Sequence, residues 1–170
     1  DRDLMKDFDR MQIAETGTIH LLRHAAAGNR DKWDGDDRKR PLTKKGRKQA
    51  KAIAEHLKAK QIERIVTSPY LRCVETVAPL ADAIGAKVEI SDALAEGPDV
   101  DASYELIHSL AGSNAVLCSH GDVIPATMTR LMWLGLELES RFYCSKGSIW
   151  EVDIENGRFG KGRYIPPPAI

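Results

Sequence analysis

Ile19-His20-Leu21-Leu22-Arg23-His24-Ala25-Ala26 is an apolar run that stops abruptly in an Arg-His pair and then in small residues. A buried strand looks like this when it delivers two polar side chains to a sheet edge, ahead of a loop that passes close by. Arg supplies a planar, permanently charged fork suited to phosphate or carboxylate. His supplies a nucleophile or proton carrier near neutral pH. The pair gains meaning only if other segments bring matching groups to the same edge.

Outward from this stretch, strands and helices alternate. Strand one is expected at about Thr18–Leu22, followed by a long loop over residues 25–42. Loops of that length inside a compact domain are often functional. Thr43 is the expected N-cap of a helix in which Ala50, Ile53, Ala54 and Leu57 recur at helical spacing. Ile62–Thr67 reads as a strand, and Ser68-Pro69 as the start of the next helix, with Ser as cap and Pro at the first helical position. That helix runs towards Gly85, with Pro79 expected to bend it. Lys87–Ile90 is a short strand, 92–101 a loop and 102–111 a helix. Ala115–Ser119 is an unbroken apolar strand of the doubly buried kind. A helix to about Leu134 follows it, and residues 147–154 and 158–164 form a hairpin turned by Glu155-Asn156-Gly157. This alternation predicts an α/β domain with a mostly parallel central sheet flanked by helices.

At 170 residues the chain is expected to be one domain, residues 18–170, preceded by an amphipathic arm over residues 1–17 that carries Leu4, Phe8 and Met11. It opens on Asp1 rather than Met, which leaves its natural start upstream, processed or engineered. Balanced charge, 25 basic against 25 acidic residues, offers no global attraction for nucleic acid or a membrane, and neither is expected as a partner. No apolar run approaches the ~18 residues that span a bilayer. Cys73, Cys118 and Cys144 are widely spaced and odd in number, which argues for reduced thiols and a cytoplasmic location rather than a disulfide framework.

Ligands of such sheets bind beyond the carboxyl ends of the strands. Three predicted strand exits carry groups suited to phosphate: Arg23-His24, then Ser68-Pro69-Tyr70-Leu71-Arg72, then Ser119-His120-Gly121. The second places Arg72 in the first turn of a helix, whose N-terminus adds free amides and a positive dipole end. Two Arg, two His and helix N-termini at one edge make a site for a dianionic phosphoryl group. His20 is read as structural, and His56 and His108 have no partner pattern. A metal site of His24, His120 and Cys118 has poor ligand spacing, and two arginines would repel the ion, so no metal is expected.

These pieces together resemble the histidine phosphatase superfamily, with its phosphoglycerate mutase-like three-layer sandwich, and most of all its short SixA-like branch. The Arg-His-Gly signature stands as Arg23-His24-Ala25, with Ala for Gly, and another small residue should fit the same loop. The Arg-Pro-Leu-Thr-x-x-Gly segment is Arg40 to Gly46, and the Ser-Pro-x-x-Arg and Ser-His-Gly elements are Ser68 to Arg72 and Ser119 to Gly121. The resemblance implies that His24 attacks phosphorus to form a phosphohistidine, while Arg23, Arg72 and His120 hold the phosphoryl oxygens. Two guanidiniums beside His24 should lower its pKa and keep it neutral and nucleophilic. The arginines replace a metal, so no cofactor is implied. Glu96 matches the acidic position of many members and is the expected proton donor, with Asp99 and Asp101 as fallbacks.

The implied activity is that of a histidine acid-type phosphatase acting on phosphohistidine proteins or phosphomonoesters. Ten basic residues between Arg30 and Lys51, against four acids, would favour polyanions if that segment borders the pocket. Arg40-Pro41-Leu42, Gly46-Arg47 and Lys146-Gly147-Ser148 with Trp150 also resemble the phosphatase-like domain appended to some MutT-type Nudix hydrolases. A nucleotide or other phosphoanhydride substrate is therefore the second reading. A phosphate-binding module without turnover is the alternative of another class, and the intact nucleophile position argues against it. Oligomeric state is left open.

Overall fold

The computed structural model describes residues 16–170, so most of the expected N-terminal arm lies outside the described residues. The first strand, β1, is Gly17–Arg23, one residue longer at each end than the expected Thr18–Leu22. A loop with two short 3-10 turns, Arg30–Lys32 and Asp37–Lys39, leads to α1, Lys44–Leu57. Then come β2 (Arg64–Thr67), α2 (Leu71–Ile84), β3 (Val88–Ile90), α3 (Val100–Ser109), β4 (Ala115–Ser119) and α4 (Val123–Trp133). Strands β5 (Glu137–Leu138), β6 (Ile149–Glu155) and β7 (Arg158–Ile165) complete the chain.

The seven strands form one sheet in the order β3-β2-β4-β1-β6-β7-β5. β3, β2, β4 and β1 run parallel, whereas β6 is antiparallel to β1 and to β7. The mostly parallel sheet is as expected; the two-residue β5, parallel to β7, is an addition. Alternation along the strands builds two cores. Ile19, Leu21 and Leu117 pack with Ile107 of α3 and with Ile124, Met128 and Leu131 of α4. Leu22, Val116 and Cys118 pack on the other side with Ile53 and Leu57 of α1 and with Val77 and Leu80 of α2. Helices on both faces make the three-layer sandwich of the phosphoglycerate mutase-like fold.

Local chemistry explains most element boundaries. Thr43 caps α1 by accepting a hydrogen bond from Gly46 N at 3.1 Å. Gly85 ends α2 in the left-handed conformation, φ 68°. Asn156 and Gly157, φ 52° and 73°, give the two-residue hairpin turn the positive angles that it needs. The start of α2 departs from expectation. Tyr70, not Ser68, is the N-cap residue, the helix begins at Leu71, and no side chain caps it. The Ser68 hydroxyl serves His120 instead, at 2.8 Å from Nε2.

Candidate active site

Parallel register brings the three strand exits together. Arg23 of β1 lies opposite Ser119 of β4, and Thr67 of β2 opposite Cys118. The backbone continues the pairing past the strands: His24 N donates to Ser119 O at 3.0 Å, and Ser68 N to Cys118 O at 3.0 Å. Gly121 is needed for close approach, since a Cβ there would stand 2.6 Å from the Arg23 guanidinium carbon.

His24 is buried, 4% exposed, and lines a cavity of about 700 Å3. Its Nδ1–H donates to Ala25 O at 2.8 Å, which assigns the lone pair to Nε2. Burial is the main influence on its pKa. The Ala25 hydrogen bond offsets part of it, and the charges of His120, Arg72 and Arg23 add to it, leaving a value of about 3. The expected direction holds, but desolvation outranks the guanidiniums as its cause. Ala25, where the family signature has Gly, is fully buried against Leu42 and Ala50. Its N–H donates to Thr76 Oγ1 at 3.0 Å, and Ala26 N donates to Gln49 Oε1 at 2.9 Å. The loop after His24 is therefore tied to both α1 and α2.

Arg72 is 0% exposed. It donates through Nη1 to Asp37 O at 2.9 Å, and through Nη2 to Asp37 Oδ2 at 3.2 Å and Glu96 Oε1 at 2.5 Å. Its Nε has no partner. The His120 ring meets His24 edge-on at 5.5 Å between centroids. Ser68 Oγ accepts from Tyr70 N at 3.3 Å, so its own proton is free to go to His120 Nε2. With that proton donated to Nε2, His120 Nδ1 carries the N–H; this atom is unpartnered and 3.5 Å from Glu96 Oε1. Arg23 donates through Nη1 to Cys144 O at 2.5 Å, while its Nε is buried without a partner. Unsatisfied buried donors are uncommon and ask for a reason. Three of them belong to Arg23, which lines the cavity, and to Arg72 and His120, which lie outside its lining; the fourth among the described residues is His20 Nδ1, within β1.

The structure thus brings together Arg23, His24, Arg72, His120 and Glu96. It does not bring Asp99 or Asp101, which cap α3 through Ala102 N and pair with Arg130. Of the ten basic residues between Arg30 and Lys51, only Arg30 and Arg40 line the cavity. Arg30 reaches Glu96 Oε1 at 2.7 Å. Sequence reasoning passed over Asp37, which accepts from Arg40 Nε at 2.8 Å as well as from Arg72. Burial would raise the Asp37 carboxyl, but the Arg40 hydrogen bond and the charges of Arg72, Arg40 and Arg30 outweigh it and hold it below the usual range. It also gave no site role to Lys146, another lining residue. The available signals were Arg40 within the Arg-Pro-Leu-Thr segment and Lys146 within the Lys146-Gly147-Ser148 resemblance.

Residues 19–98 match the model of the histidine phosphatase superfamily (branch 1). The 8-oxo-(d)GTP phosphatase of Mycolicibacterium smegmatis (strain ATCC 700084 / mc(2)155) is 31% identical over 176 residues, covering 99% of this chain and 53% of that protein. The chain therefore spans about half the length of this curated relative. Among solved structures, the protein histidine phosphatase SixA complexed with tungstate superposes with a TM-score of 0.69 at 23% identity, over 88% of this chain and 94% of that one. A structure from Nakamurella multipartitia, provisionally identified as the phosphohistidine phosphatase SixA, gives 0.72 at 23% identity, over 91% and 98%. At these identities the solved structures speak for the fold alone.

Proposed function

We propose that this chain of the histidine phosphatase superfamily is a metal-independent phosphohydrolase that works through a phosphohistidine on His24. One observation carries the reading. The His24 ring, held neutral by burial and fixed in orientation by its bond to Ala25 O, lines a cavity beside Arg23, His120 and Arg72, each of which keeps one buried nitrogen without a partner. In the proposed first step, His24 Nε2 attacks phosphorus while Arg23, Arg72 and His120 Nδ1–H take the equatorial oxygens. Fixed cations and dipoles aimed at spread phosphoryl charge are the main source of catalysis in this chemistry.

Glu96 Oε1 sits on Arg72 Nη2, where an incoming phosphoryl oxygen must also bind. Substrate therefore competes with the carboxylate for this guanidinium. As acid, Glu96 gives a proton to an ester leaving group, and as carboxylate it then activates the water that splits the N–P bond.

The SixA-like resemblance favours phosphohistidine proteins or phosphomonoesters as substrates. The second reading, a nucleotide or other phosphoanhydride, is favoured by a specific observation: the relative similar over 99% of this chain is named for a nucleoside triphosphate. Either substrate predicts the same intermediate. Incubation with p-nitrophenyl phosphate in EDTA should give steady turnover. An alkaline quench should trap protein heavier by one phosphoryl group, and the His24→Ala variant should trap none. Binding without turnover would identify a phosphate-binding module, and turnover lost in EDTA would contradict the metal-free route.

A further inference from the structure

The cavity holds cations that the transfer of one phosphoryl group does not use. Lys146 lines it with Arg30 and Arg40, and the carboxylates among its lining residues are Glu96 and Asp122. Both are engaged: Glu96 with Arg72 and Arg30, and Asp122 as acceptor from Gly97 N at 3.0 Å. Arg40 is bound by Asp37 and donates to Gly28 O. Among the described residues Lys146 has no ion-pair partner.

The position of Lys146 relative to the nucleophile is fixed. The next residue, Gly147, donates its N–H to Arg23 O at 3.1 Å and His24 O at 3.0 Å, and Arg23 N donates to Ser148 O at 3.0 Å. Gly147 has φ 83°, which a side chain would make costly, so this turn is built for its place. The turn is thus hydrogen-bonded to the two residues that carry the attack. Burial, then the charges of Arg23, Arg40, Arg72 and Arg30, lower the Lys146 pKa. An anion placed among them relieves that repulsion.

We propose that Lys146, which lines the cavity with Arg40, is a specificity-determining residue for the leaving group, taking the second phosphate of a phosphoanhydride. Preferred substrates then carry at least two linked phosphates. This deepens the phosphohydrolase reading and rests on it. In the step concerned, the bond from His24 Nε2 to the terminal phosphorus forms as the bond from that phosphorus to the bridging oxygen breaks. The electron pair leaves with the bridging oxygen on the departing phosphate, whose charge Lys146 meets. A phosphate leaving group departs as an anion and needs no proton from Glu96, unlike the alkoxide of an ester. Water then splits the N–P bond, releasing inorganic phosphate and restoring His24.

Calorimetric titration of the whole chain with inorganic pyrophosphate and with inorganic phosphate tests this directly. Pyrophosphate should bind wild type roughly ten times tighter or more, and Lys146→Met should remove most of that preference while weakening phosphate by no more than about threefold. Lys146→Arg should restore the preference. Turnover should follow: the ratio of kcat/KM on ADP to that on AMP should collapse in Lys146→Met and recover in Lys146→Arg. Equal affinities in wild type, or an unchanged preference in Lys146→Met, would overturn the subsite. Such a result together with steady p-nitrophenyl phosphate turnover would sink the subsite alone and leave the phosphohydrolase reading standing.

Discussion

β1 carries two buried histidines, His20 within the strand and His24 just past its end, 2% and 4% exposed. Each lines a cavity, of about 270 Å3 at His20 and about 700 Å3 at His24. Burial is the main cause that lowers both pKa values, to about 4 and about 3. Their company differs. His20 Nδ1 faces Glu151 at 3.6 Å, and Arg163 beside it spends both Nη groups on Asp153 at 2.6 and 2.8 Å. His24 faces Arg23, Arg72 and His120, each of which keeps one buried nitrogen unpartnered. Burial alone makes a neutral histidine. Three unpartnered nitrogens on its neighbours set His24 apart from His20, whose own Nδ1 lacks a hydrogen bond but whose neighbours Glu151 and Arg163 are paired.

The sharpest way to break this comparison is to remove each ring in turn. His24→Ala should lower p-nitrophenyl phosphate turnover by about 10^4-fold, as expected for loss of a nucleophile, with thermal unfolding close to wild type. His20→Ala should do the reverse, costing about 1–3 kcal/mol of stability through its cavity and the stranded Glu151 while turnover per folded molecule stays within about threefold. Steady-state rates and denaturant midpoints on both variants decide it. Comparable rate losses would mean that the two ends of the strand are not functionally distinct.

A smaller contrast separates the two arginines. Arg72→Ala should weaken vanadate or phosphate binding by about 100-fold, since a buried, charge-assisted contact is lost. Arg163→Ala removes a half-exposed pair and should cost about 1 kcal/mol of stability or less, with anion affinity unmoved. An Arg72→Ala variant that bound vanadate as wild type does would take that guanidinium out of the pocket.

The same contrast explains what was legible in the sequence. β1 and β4 could be read because apolar runs end sharply in polar pairs, and parallel pairing then places Arg23, Ser68 and His120 at neighbouring exits. The turn at Asn156-Gly157 and the Thr43 cap were local chemistry and equally readable. Ser68 was misplaced because one hydroxyl can serve either its own helix start or a distant ring, and the choice of His120 is tertiary. Asp37, Arg40 and Lys146 lie on loops without periodicity. Long-range contacts bring them in: the Ala27–Leu42 bridge that closes the first loop, and the Gly147 bonds to the Arg23 and His24 carbonyls. β5 has two residues, too few for any pattern to register.

The smallest effect is the one that tests burial itself. Free histidine titrates near 6.5, so an unfolded chain takes up protons at both positions as pH falls below that value, while the folded chain holds His20 neutral to about 4 and His24 to about 3. Between those limits the unfolded state binds more protons, so stability is fully present above about 6.5 and declines as pH falls. Each ring contributes at most about 1.4 kcal/mol per pH unit. Asp37 and Asp153, held below their usual 3.8, and Glu89 and Glu137, held below their usual 4.5, add their own losses mainly below about pH 5, which leaves the window from about 6 to 5 chiefly to the histidines. His20→Gln should therefore shed about half of the stability slope in this window, read as denaturant midpoints across it, without altering turnover. A slope as steep as wild type would mean that His20 is protonated in the fold, with Glu151 outweighing its burial. The two histidines of β1 would then differ in charge as well as in company.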